Sequence, residues 1–311
     1  ILMLAAVLFG QEDMRVTEWP NPATGPGDVL VCVVRCGVCG SDLRTFFRGP
    51  SPRYRLPAIL GHEFAGAITE VGEEVEDFQV GERVSAAPAV PCGECFYCRR
   101  GEDNLCRNLL DFGINFDGAF ADLILIPSRC IKSGGLVKLS EELTDELAVW
   151  GEPVGTVIHA QDHAEVGRGQ IVTIIGDGPM GLLHTLVAKE LGAARVSVIG
   201  HHRERLHLAR KVGADVTAVE GEKAHVGREA DVTIVAVSDG VAIQGAFELT
   251  RDGGTIVVFG GSTRESQVLV SPYRLHYGEI KLMGSFNCTT KDFRRAIEML
   301  PRLNLRPLRP H

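Results

Sequence analysis

The sequence predicts an α/β protein with two architectures, a β-rich part up to about residue 150 and a parallel α/β part after it. The first part contains short β-type runs separated by Pro- and Gly-rich turns, at residues 4–9, 28–36, 66–71, 83–86 and 119–126. Many short strands with such turns are typical of a barrel or sandwich. After residue 150, strand-like and helix-like segments alternate, which is the βαβ pattern of a parallel sheet.

The elements of the second part follow in regular order. Strands are predicted at 171–175, 195–199, 231–237, 254–259 and 280–284, with helices at 178–191 and 204–212. A further helix is predicted at 141–150, where acidic residues precede an apolar-periodic run. The connection at 220–231 is short for a parallel crossover, so either the crossover is minimal or residues are absent from the chain.

Composition excludes several classes of function. The net charge of −8, from 32 basic and 40 acidic residues, provides no basic stripe for nucleic acid. The apolar start at 1–9 lacks a basic flank and is too short to span a bilayer, so we interpret it as a first β-strand. Nine cysteines fit a reducing compartment. We expect a cytoplasmic protein that acts on small molecules and does not bind membranes.

Four cysteines form a compact motif with the spacing C-x2-C-x2-C-x7-C, namely Cys92, Cys95, Cys98 and Cys106. The segment is polar and too short to form a hydrophobic core. Gly93 and Gly101 permit the tight turns that bring the thiols together. Two disulfides or four ordinary buried cysteines are the alternatives, but the chain has no secretory signal and the cysteines are not set in apolar runs. The motif predicts a structural zinc site with four thiolate ligands.

A glycine-rich turn follows the strand predicted at 171–175. Its residues are Gly176, Asp177, Gly178, Pro179, Met180 and Gly181. A G-x-G-x-x-G match alone is weak, but here it follows a strand, begins a helix and precedes a second strand. Its glycines allow the backbone to approach a pyrophosphate, which is stabilised by the helix N-terminus. The turn therefore predicts a dinucleotide site.

The end of the second strand distinguishes the two nicotinamide cofactors. NAD sites usually carry Asp or Glu there, whereas this chain has Gly200, followed by His201, His202, Arg203, Glu204 and Arg205. Without a carboxylate, a 2′-phosphate is not repelled, and Arg203 or Arg205 can pair with it. The alternative is that these residues are solvated and the enzyme uses NAD without an acidic anchor. We favour NADP.

Three dispersed segments carry possible ligands for a second metal. They are Cys36-Gly-Val-Cys39-Gly-Ser41-Asp42, Gly61-His62-Glu63 and Gly151-Glu152-Pro153. A thiolate, an imidazole and carboxylates are typical of a catalytic zinc with an open coordination position. Each segment alone has an ordinary structural explanation, since a single histidine is more often a hydrogen-bonded residue than a ligand.

Together with the four-cysteine motif and the glycine fingerprint, all in the same order, these segments resemble the zinc-dependent medium-chain dehydrogenase/reductase family of alcohol and sorbitol dehydrogenases. The resemblance implies a GroES-like β-barrel-type catalytic domain (1–150), a doubly wound Rossmann domain (151–287) and a return to the first domain (288–311). It places the active site in the cleft between the domains. Members of the family continue further, so we expect that the chain is incomplete.

The resemblance also assigns roles to individual residues. Cys39 and His62 match ligands of the catalytic zinc, Glu63 and Glu152 match two carboxylates that bind it directly or through water, and Ser41 matches a proton-relaying hydroxyl. The two carboxylates, without a cysteine at 152, point to the sorbitol-dehydrogenase-like branch. The implied reaction is hydride transfer between a secondary alcohol of a polyol, sugar or cyclitol and NAD(P). The resemblance also implies a homodimer or homotetramer.

The loop after Ser41 leaves the substrate open, and the overall function has alternatives. The loop after Ser41 lacks the aromatic and histidine of the sorbitol dehydrogenase pattern and instead carries Arg44, Arg48, Arg53 and Arg55. These arginines predict either an anionic substrate held by a guanidinium fork or a merely solvated loop. The alternatives in function are a threonine-type or simple-alcohol dehydrogenase on the same scaffold, and a nucleotide-binding sensor without catalysis.

Overall fold

The structure is a computed structural model that describes residues 1–221 and 226–308. These residues divide into two compact units, one formed by Ile1–Gly155 and Asn287–Pro301, the other by Thr156–Phe286 and residues 302–308. The domain limits expected at residues 150 and 287 remain predictions. The short connection at 220–231 includes residues 222–225, which lie outside the described residues.

The first unit contains antiparallel strands. They are β1 (Leu2–Gly10), β2 (Asp13–Pro20), β3 (Val29–Cys36), β4 (Ala58–Ile59), β5 (Phe64–Val71), β6 (Arg83–Ala86), β7 (Ala89–Val90), β8 (Leu110–Asp111), β9 (Leu123–Ile126) and β10 (Leu136–Lys138). A five-stranded sheet has the order β10-β6-β5-β3-β9, beside the smaller sheets β2-β1-β4 and β7-β8. Strand β1 confirms the interpretation of the apolar start, since Met3, Ala5 and Val7 are buried and alternate with exposed Leu2 and Leu4.

Short helices connect these strands and extend through both units. They are α1 (Gly40–Arg48), α2 (Ser128–Lys132), α3 (Asp145–Ala148), α4 (Gly151–His163), α5 (Pro179–Glu190), α6 (Arg203–Lys211), α7 (Gly240–Leu249), α8 (Pro272–Tyr277) and α9 (Thr290–Met299). The helix predicted at 141–150 was wrong in its bounds: the helical turn α3 begins only after the N-cap Thr144. The strand predicted at 119–126 is confined to β9, because residues 119–122 form bends and an isolated bridge. No helix of the described residues is long and apolar enough to cross a membrane.

The second unit contains a six-stranded parallel sheet with the order β13-β12-β11-β14-β15-β16. Its strands are β11 (Ile171–Ile175), β12 (Arg195–Gly200), β13 (Val216–Val219), β14 (Ala230–Val235), β15 (Thr250–Val258) and β16 (Lys281–Gly284). This order is that of the doubly wound dinucleotide-binding fold, in which ligands bind beyond the carboxyl ends of the strands where the order reverses. The predicted parallel sheet is confirmed, and the reversal lies between β11 and β14.

A fully buried histidine lies inside the second unit. His184, in α5, has its Nδ1 atom 3.1 Å from Gln161 Nε2, and its ring contacts Phe259 edge-on at 4.5 Å between centroids. Burial lowers the pKa of His184 to about 3. The folded protein therefore keeps a neutral imidazole at pH values where the unfolded chain binds a proton.

We expect this histidine to make stability fall in acid. Between the unfolded pKa of about 6.5 and the folded pKa, the free energy of unfolding should fall by about 1.4 kcal/mol per pH unit, or about 2 kcal/mol by pH 5. Urea unfolding at pH 7 and pH 5 measures the loss. His184→Asn should lower stability at pH 7 and flatten the pH dependence. The exposed control His207→Asn should leave the pH dependence unchanged, and an equal slope in both variants would contradict the assignment.

Candidate metal centres and nucleotide site

The four-cysteine segment brings its sulfur atoms together. All four Sγ atoms, of Cys92, Cys95, Cys98 and Cys106, lie within 4.8 Å of one another. The Sγ of Cys98 lies 3.9 Å from that of Cys92 and 3.5 Å from that of Cys95. Zinc–sulfur bonds of about 2.3 Å in a tetrahedron place the sulfurs about 3.8 Å apart. The donor set therefore fits a zinc ion held by four protein ligands.

Backbone turns and one arginine hold this segment in shape. Gly93 and Gly101 have φ angles of 77° and 76°, the left-handed region that glycine adopts without strain. The Arg129 guanidinium donates to the main-chain oxygens of Pro91 and Asn108, and its Nη2 lies 3.8 Å from the Sγ of Cys106. Arg129 was not predicted as part of this site, because only the fold brings α2 to the cysteines.

A second cluster joins three different donor types. One ligand atom from each of Cys39, His62 and Glu63 lies within 4.8 Å of the others. Cys39 is the N-cap of α1, and the other two residues directly precede β5. Gly37 allows the approach, because a Cβ there would lie 2.3 Å from Glu63 Oε2. The structure thus brings together three of the four residues expected at the catalytic zinc.

Acidic groups outnumber basic groups around this cluster. Burial and the charge of Glu152 raise the pKa of Glu63 to about 8, and burial also raises the pKa of Glu152. Burial opposes the protonation of His62, but its hydrogen bond with Cys39 and the charges of Glu152 and Asp42 prevail and raise its pKa to about 10. A buried set of a thiol, an imidazole and carboxylates fits a divalent cation, which would offset this negative charge. Glu152, in the first turn of α4, acts on the cluster through its charge and is not one of the three mutually close ligands.

Asp42 is a site residue whose role the sequence analysis missed. Its Oδ2 accepts the N–H of Cys39 at 2.9 Å, and its Oδ1 lies 3.6 Å from His62 Nδ1. A carboxylate behind a histidine fixes the ring orientation and makes it a better ligand. The signal was the aspartate three residues after Cys39, where it caps α1. Ser41 is the second residue of α1 and is partly exposed.

The arginine-rich loop is not uniform. Arg53 forms an ion pair with Asp111, whose side chain is only 5% exposed, so this guanidinium already has an anionic partner. Tyr54 follows it, and its hydroxyl lies 2.9 Å from Thr45 Oγ1. Arg44, Arg48 and Arg55 are exposed. An anionic substrate stays a prediction. Arg53 is not available to bind it, because its guanidinium is paired with Asp111.

The glycine-rich turn has the close approaches that a dinucleotide fingerprint requires. Gly176 has a φ angle of 124°, and Gly178 is the N-cap of α5, with Pro179 and Met180 as the first helical residues. A Cβ on Gly181 would lie 2.0 Å from the Gly176 carbonyl oxygen, whereas a Cβ on Gly178 would meet nothing within 4 Å. The turn therefore packs tightly at Gly181 and leaves open space at Gly178, where a pyrophosphate would approach.

Asp177 places a carboxylate at the end of β12. A Cβ on Gly200 would lie 2.5 Å from the Asp177 Cγ. The Asp177 Oδ2 accepts the N–H of His202 at 2.6 Å and lies 3.1 Å from its Nδ1. The end of β12 has no acidic residue of its own, but the carboxylate of Asp177 lies against it.

The remaining predicted nucleotide residues surround this point. His201 Nε2 pairs with Glu220 Oε2 at 2.9 Å. Arg203 and Arg205 are the first and third residues of α6, and both are exposed. The N-terminus of α6 and the end of β12 thus present imidazoles and guanidiniums together with three carboxylates, those of Asp177, Glu204 and Glu220. This is where the adenosine ribose lies in doubly wound folds.

Two glycine substitutions in this turn should behave differently. Gly178→Ala should leave the thermal unfolding midpoint unchanged and weaken cofactor binding about tenfold, because its Cβ enters open space on the pyrophosphate side. Gly181→Ala should lower the unfolding midpoint, because its Cβ clashes with backbone. Calorimetry and NADPH titration measure both. Equal loss of stability in the two variants would contradict this division of roles.

Comparisons with known proteins agree with these features. Residues 25–138 match the family model of the alcohol dehydrogenase GroES-like domain, and residues 179–302 match that of the zinc-binding dehydrogenases. An L-threonine 3-dehydrogenase of Rhizobium johnstonii is 34% identical over 78% of this chain and 71% of its own length. An L-idonate 5-dehydrogenase of Vitis vinifera is 32% identical over 91% of this chain and 80% of its own length.

Solved structures show the same fold. A zinc-binding dehydrogenase of Sinorhizobium meliloti, bound to NADP, superimposes with a TM-score of 0.90 at 30% identity, over 97% of this chain and 89% of that one. The galactitol-1-phosphate dehydrogenase of Escherichia coli has a TM-score of 0.88 at 27% identity, over 98% and 91%. The predicted GroES-like and Rossmann architectures are confirmed. The chain belongs to the zinc-dependent medium-chain dehydrogenases of the alcohol dehydrogenase superfamily, which use zinc and NAD(P).

Proposed function

We propose that this enzyme transfers hydride between a secondary alcohol of a polyol, sugar or cyclitol and NADP. The observation that carries the proposal is the cluster of Cys39, His62 and Glu63, with ligand atoms within 4.8 Å of one another. Three donors of different types leave one coordination position for a substrate, unlike the closed shell of four thiolates. We also propose two zinc ions per chain, one in each cluster.

The residues of the centre have separate tasks in this proposal. Cys39, His62 and Glu63 hold the zinc, and Glu152 adjusts the charge at the centre directly or through water. Asp42 keeps His62 in its ligating orientation through the contact at Nδ1. Bound zinc supplies Lewis-acid stabilisation of negative charge on an alcohol oxygen. The Oγ of Ser41, two residues after Cys39 on α1, takes up the alcohol proton and passes it toward solvent.

The nicotinamide cofactor supplies the hydride acceptor. NADP is favoured because Arg203 and Arg205 lie at the start of α6. Two of the carboxylates near the end of β12 already have partners, since Asp177 is bound by His202 and Glu220 by His201. Arg205→Ala should weaken NADPH binding about tenfold and leave NADH binding unchanged. Arg210→Ala, on the same helix but bonded to Thr217, is the matched control. A stronger binding of NADH than of NADPH by the unmodified enzyme would decide for NAD.

A substrate screen tests the reaction itself. The formation of reduced nicotinamide is followed with neutral polyols, their phosphate esters, L-threonine and simple alcohols. We expect the highest kcat/KM with a polyol, sugar or cyclitol. Preference for L-threonine is the second candidate, favoured by the relative of Rhizobium johnstonii at 34% identity. Binding of NADPH without turnover of any alcohol would indicate a sensor.

Comparing a neutral polyol with its phosphate ester tests whether the substrate is anionic. A phosphorylated polyol is favoured by the exposed Arg44 and Arg48 on α1 and by the similarity to galactitol-1-phosphate dehydrogenase. In that case Arg44→Ala should lower kcat/KM for the phosphate ester about tenfold and leave the neutral polyol unchanged. Equal use of both substrates, unaffected by Arg44→Ala, eliminates an anionic substrate.

We also propose a cellular compartment and an oligomeric state for the enzyme. All nine cysteines are unpaired, and a reducing compartment such as the cytoplasm keeps thiols available for metal. We propose a homodimer or homotetramer, by similarity to the family. Sedimentation analysis of the unmodified protein measures the assembly.

A further inference from the structure

One carboxylate joins the four-cysteine lobe, residues 92–106, to helix α9, which packs against the start of α4. Asp103 lies between Cys98 and Cys106, and its carbonyl oxygen accepts the N–H of Cys106 at 3.1 Å. Its side chain leaves the lobe: Oδ1 and Oδ2 accept the N–H of Thr290 at 3.2 and 3.3 Å. The lobe is thus bonded to the first residue of α9, 187 positions further along the chain.

This contact completes the N-terminus of α9. Thr289 and Asp292 already cap the helix reciprocally, with the Asp292 N–H donating to Thr289 Oγ1 at 3.1 Å and the Thr289 N–H donating to Asp292 Oδ2 at 3.0 Å. The N–H of Thr290 is left by that capping box, and Asp103 accepts it. A negative charge at a helix N-terminus is also favoured by the helix dipole. The lobe therefore adds one hydrogen-bond acceptor to the N-terminus of α9, beyond the capping box of the helix itself.

Helix α9 in turn packs against the start of α4 without any space between them. A Cβ on Gly151 would lie 2.6 Å from Ile297 Cδ1, and a Cβ on Gly155 would lie 3.3 Å from the Phe293 Cα. Ile297 and Phe293 are one turn apart on the same face of α9. Glu152 lies between the two glycines, in the first turn of α4, so a displacement of α9 displaces its backbone directly.

We infer that Asp103 is a positioning residue for the Cys39 centre: it transmits the geometry of the four-cysteine lobe through α9 to Glu152. The inference rests on the proposed function only in taking Glu152 as part of that centre. Asp103 itself touches neither substrate nor metal. Loss of its carboxylate frees the N-terminus of α9, lets α9 move against Gly151, and alters the distance from Glu152 to the metal ligands.

Trp150 offers a readout that does not depend on activity. It directly precedes Gly151, its carbonyl oxygen accepts the N–H of Val154 at 2.9 Å, and Trp19 is the only other tryptophan. In a Trp19→Phe background, Asp103→Ala should shift the emission maximum of Trp150. It should also weaken cobalt binding at the Cys39 centre about tenfold, as expected for lost support of a metal site. Cobalt at this centre is isolated by subtracting the spectrum of the Cys39→Ala counterpart.

Matched variants separate positioning from general stability. Glu102→Gln removes the neighbouring negative charge, which pairs with Arg100 inside the lobe, and should change neither readout. Asp103→Asn keeps one acceptor oxygen for Thr290 and should restore most of the cobalt affinity. A lower unfolding temperature of Asp103→Ala with unchanged Trp150 emission and cobalt affinity would overturn the inference. These readouts keep their meaning if no alcohol is oxidised.

A double-substitution cycle tests the transmission from the lobe. Cys95→Ser disrupts the four-thiolate set and should weaken cobalt binding at the Cys39 centre by a similar factor. If Asp103 carries this effect, Cys95→Ser should have little further effect in the Asp103→Ala background. Fully additive losses would show that the lobe acts by another route and would overturn the assignment to Asp103. The cycle uses the emission of Trp150 in parallel.

Discussion

Cys39→Ala should remove one of two zinc equivalents and lower kcat/KM about 10³-fold or more. Loss of the thiolate leaves His62 and Glu63 as the close ligands, and Lewis-acid stabilisation of several kcal/mol is lost with the metal. The fold should remain, because Cys39 supports α1 through its main-chain N–H, which donates to Asp42 Oδ2 at 2.9 Å and is kept by alanine. Metal analysis, circular dichroism and steady-state kinetics are the measurements.

The control for Cys39→Ala is Cys32→Ala. Cys32 is partly exposed on β3 and belongs to neither metal cluster of the described residues. It should keep both zinc equivalents and full activity. NADPH binding should be unaffected in both variants, since the glycine-rich turn lies in the other unit. A Cys39→Ala protein that retained two zinc equivalents and its activity would show that the reaction does not take place at this centre.

The sequence was informative where a pattern is local and periodic. Strands β11 and β12 are apolar runs of the length typical for buried parallel strands, and β6 has the predicted bounds. The cysteine motif and the glycine fingerprint depend on spacing within a few residues. The residues of each motif are close along the chain and are brought together mainly by local turns, although Arg129 of α2 also supports the cysteine segment. These parts were therefore predictable.

Other elements depend on contacts that no local pattern contains. Helix α9 is an exception, because it was missed although its signals are local: Thr289 and Asp292 form a capping box, and its buried apolar residues have helical spacing. The helix predicted at 141–150 was too long, since a new helix starts at Gly151 and its position is set by packing on α9. Short-range signals suggest that a helix exists, but its ends follow from tertiary packing.

The same limit explains the site residues that sequence reasoning missed. Asp42, Arg129 and Asp177 are ordinary charged residues in the sequence. Each contacts a distant group that only the fold brings to it: His62 reaches Asp42, Cys106 reaches Arg129, and Gly200 with His202 reaches Asp177. For this reason the prediction of NADP from a strand end without an acidic residue was incomplete, since the Asp177 carboxylate packs against Gly200.

Loss of the metal in the four-cysteine lobe should be the largest effect on stability. In Cys95→Ser one zinc equivalent should be lost, the free energy of unfolding should fall by about 4 kcal/mol, and the unfolding midpoint by about 10 °C. The physical reason is that the lobe lacks a core of its own: Phe96 is 60% exposed, and of the four cysteines only Cys106 is buried. Without metal, mainly Arg129 and the turns at Gly93 and Gly101 hold its shape. Metal binding and folding of the lobe are therefore one equilibrium.

Limited trypsin digestion locates this loss, because Arg99 and Arg100 are exposed within the lobe. Cleavage there should be slow in the unmodified protein and in the control Cys32→Ser, and fast in Cys95→Ser, since a protease requires a locally opened chain. Added zinc should slow cleavage of the unmodified metal-depleted protein but not of Cys95→Ser. Slow cleavage and an unchanged midpoint in Cys95→Ser would mean that the lobe folds through its hydrogen bonds alone. In that case the four thiols would not constitute a structural metal site, and the coupling through Asp103 would have to originate in the hydrogen-bonded lobe rather than in its metal.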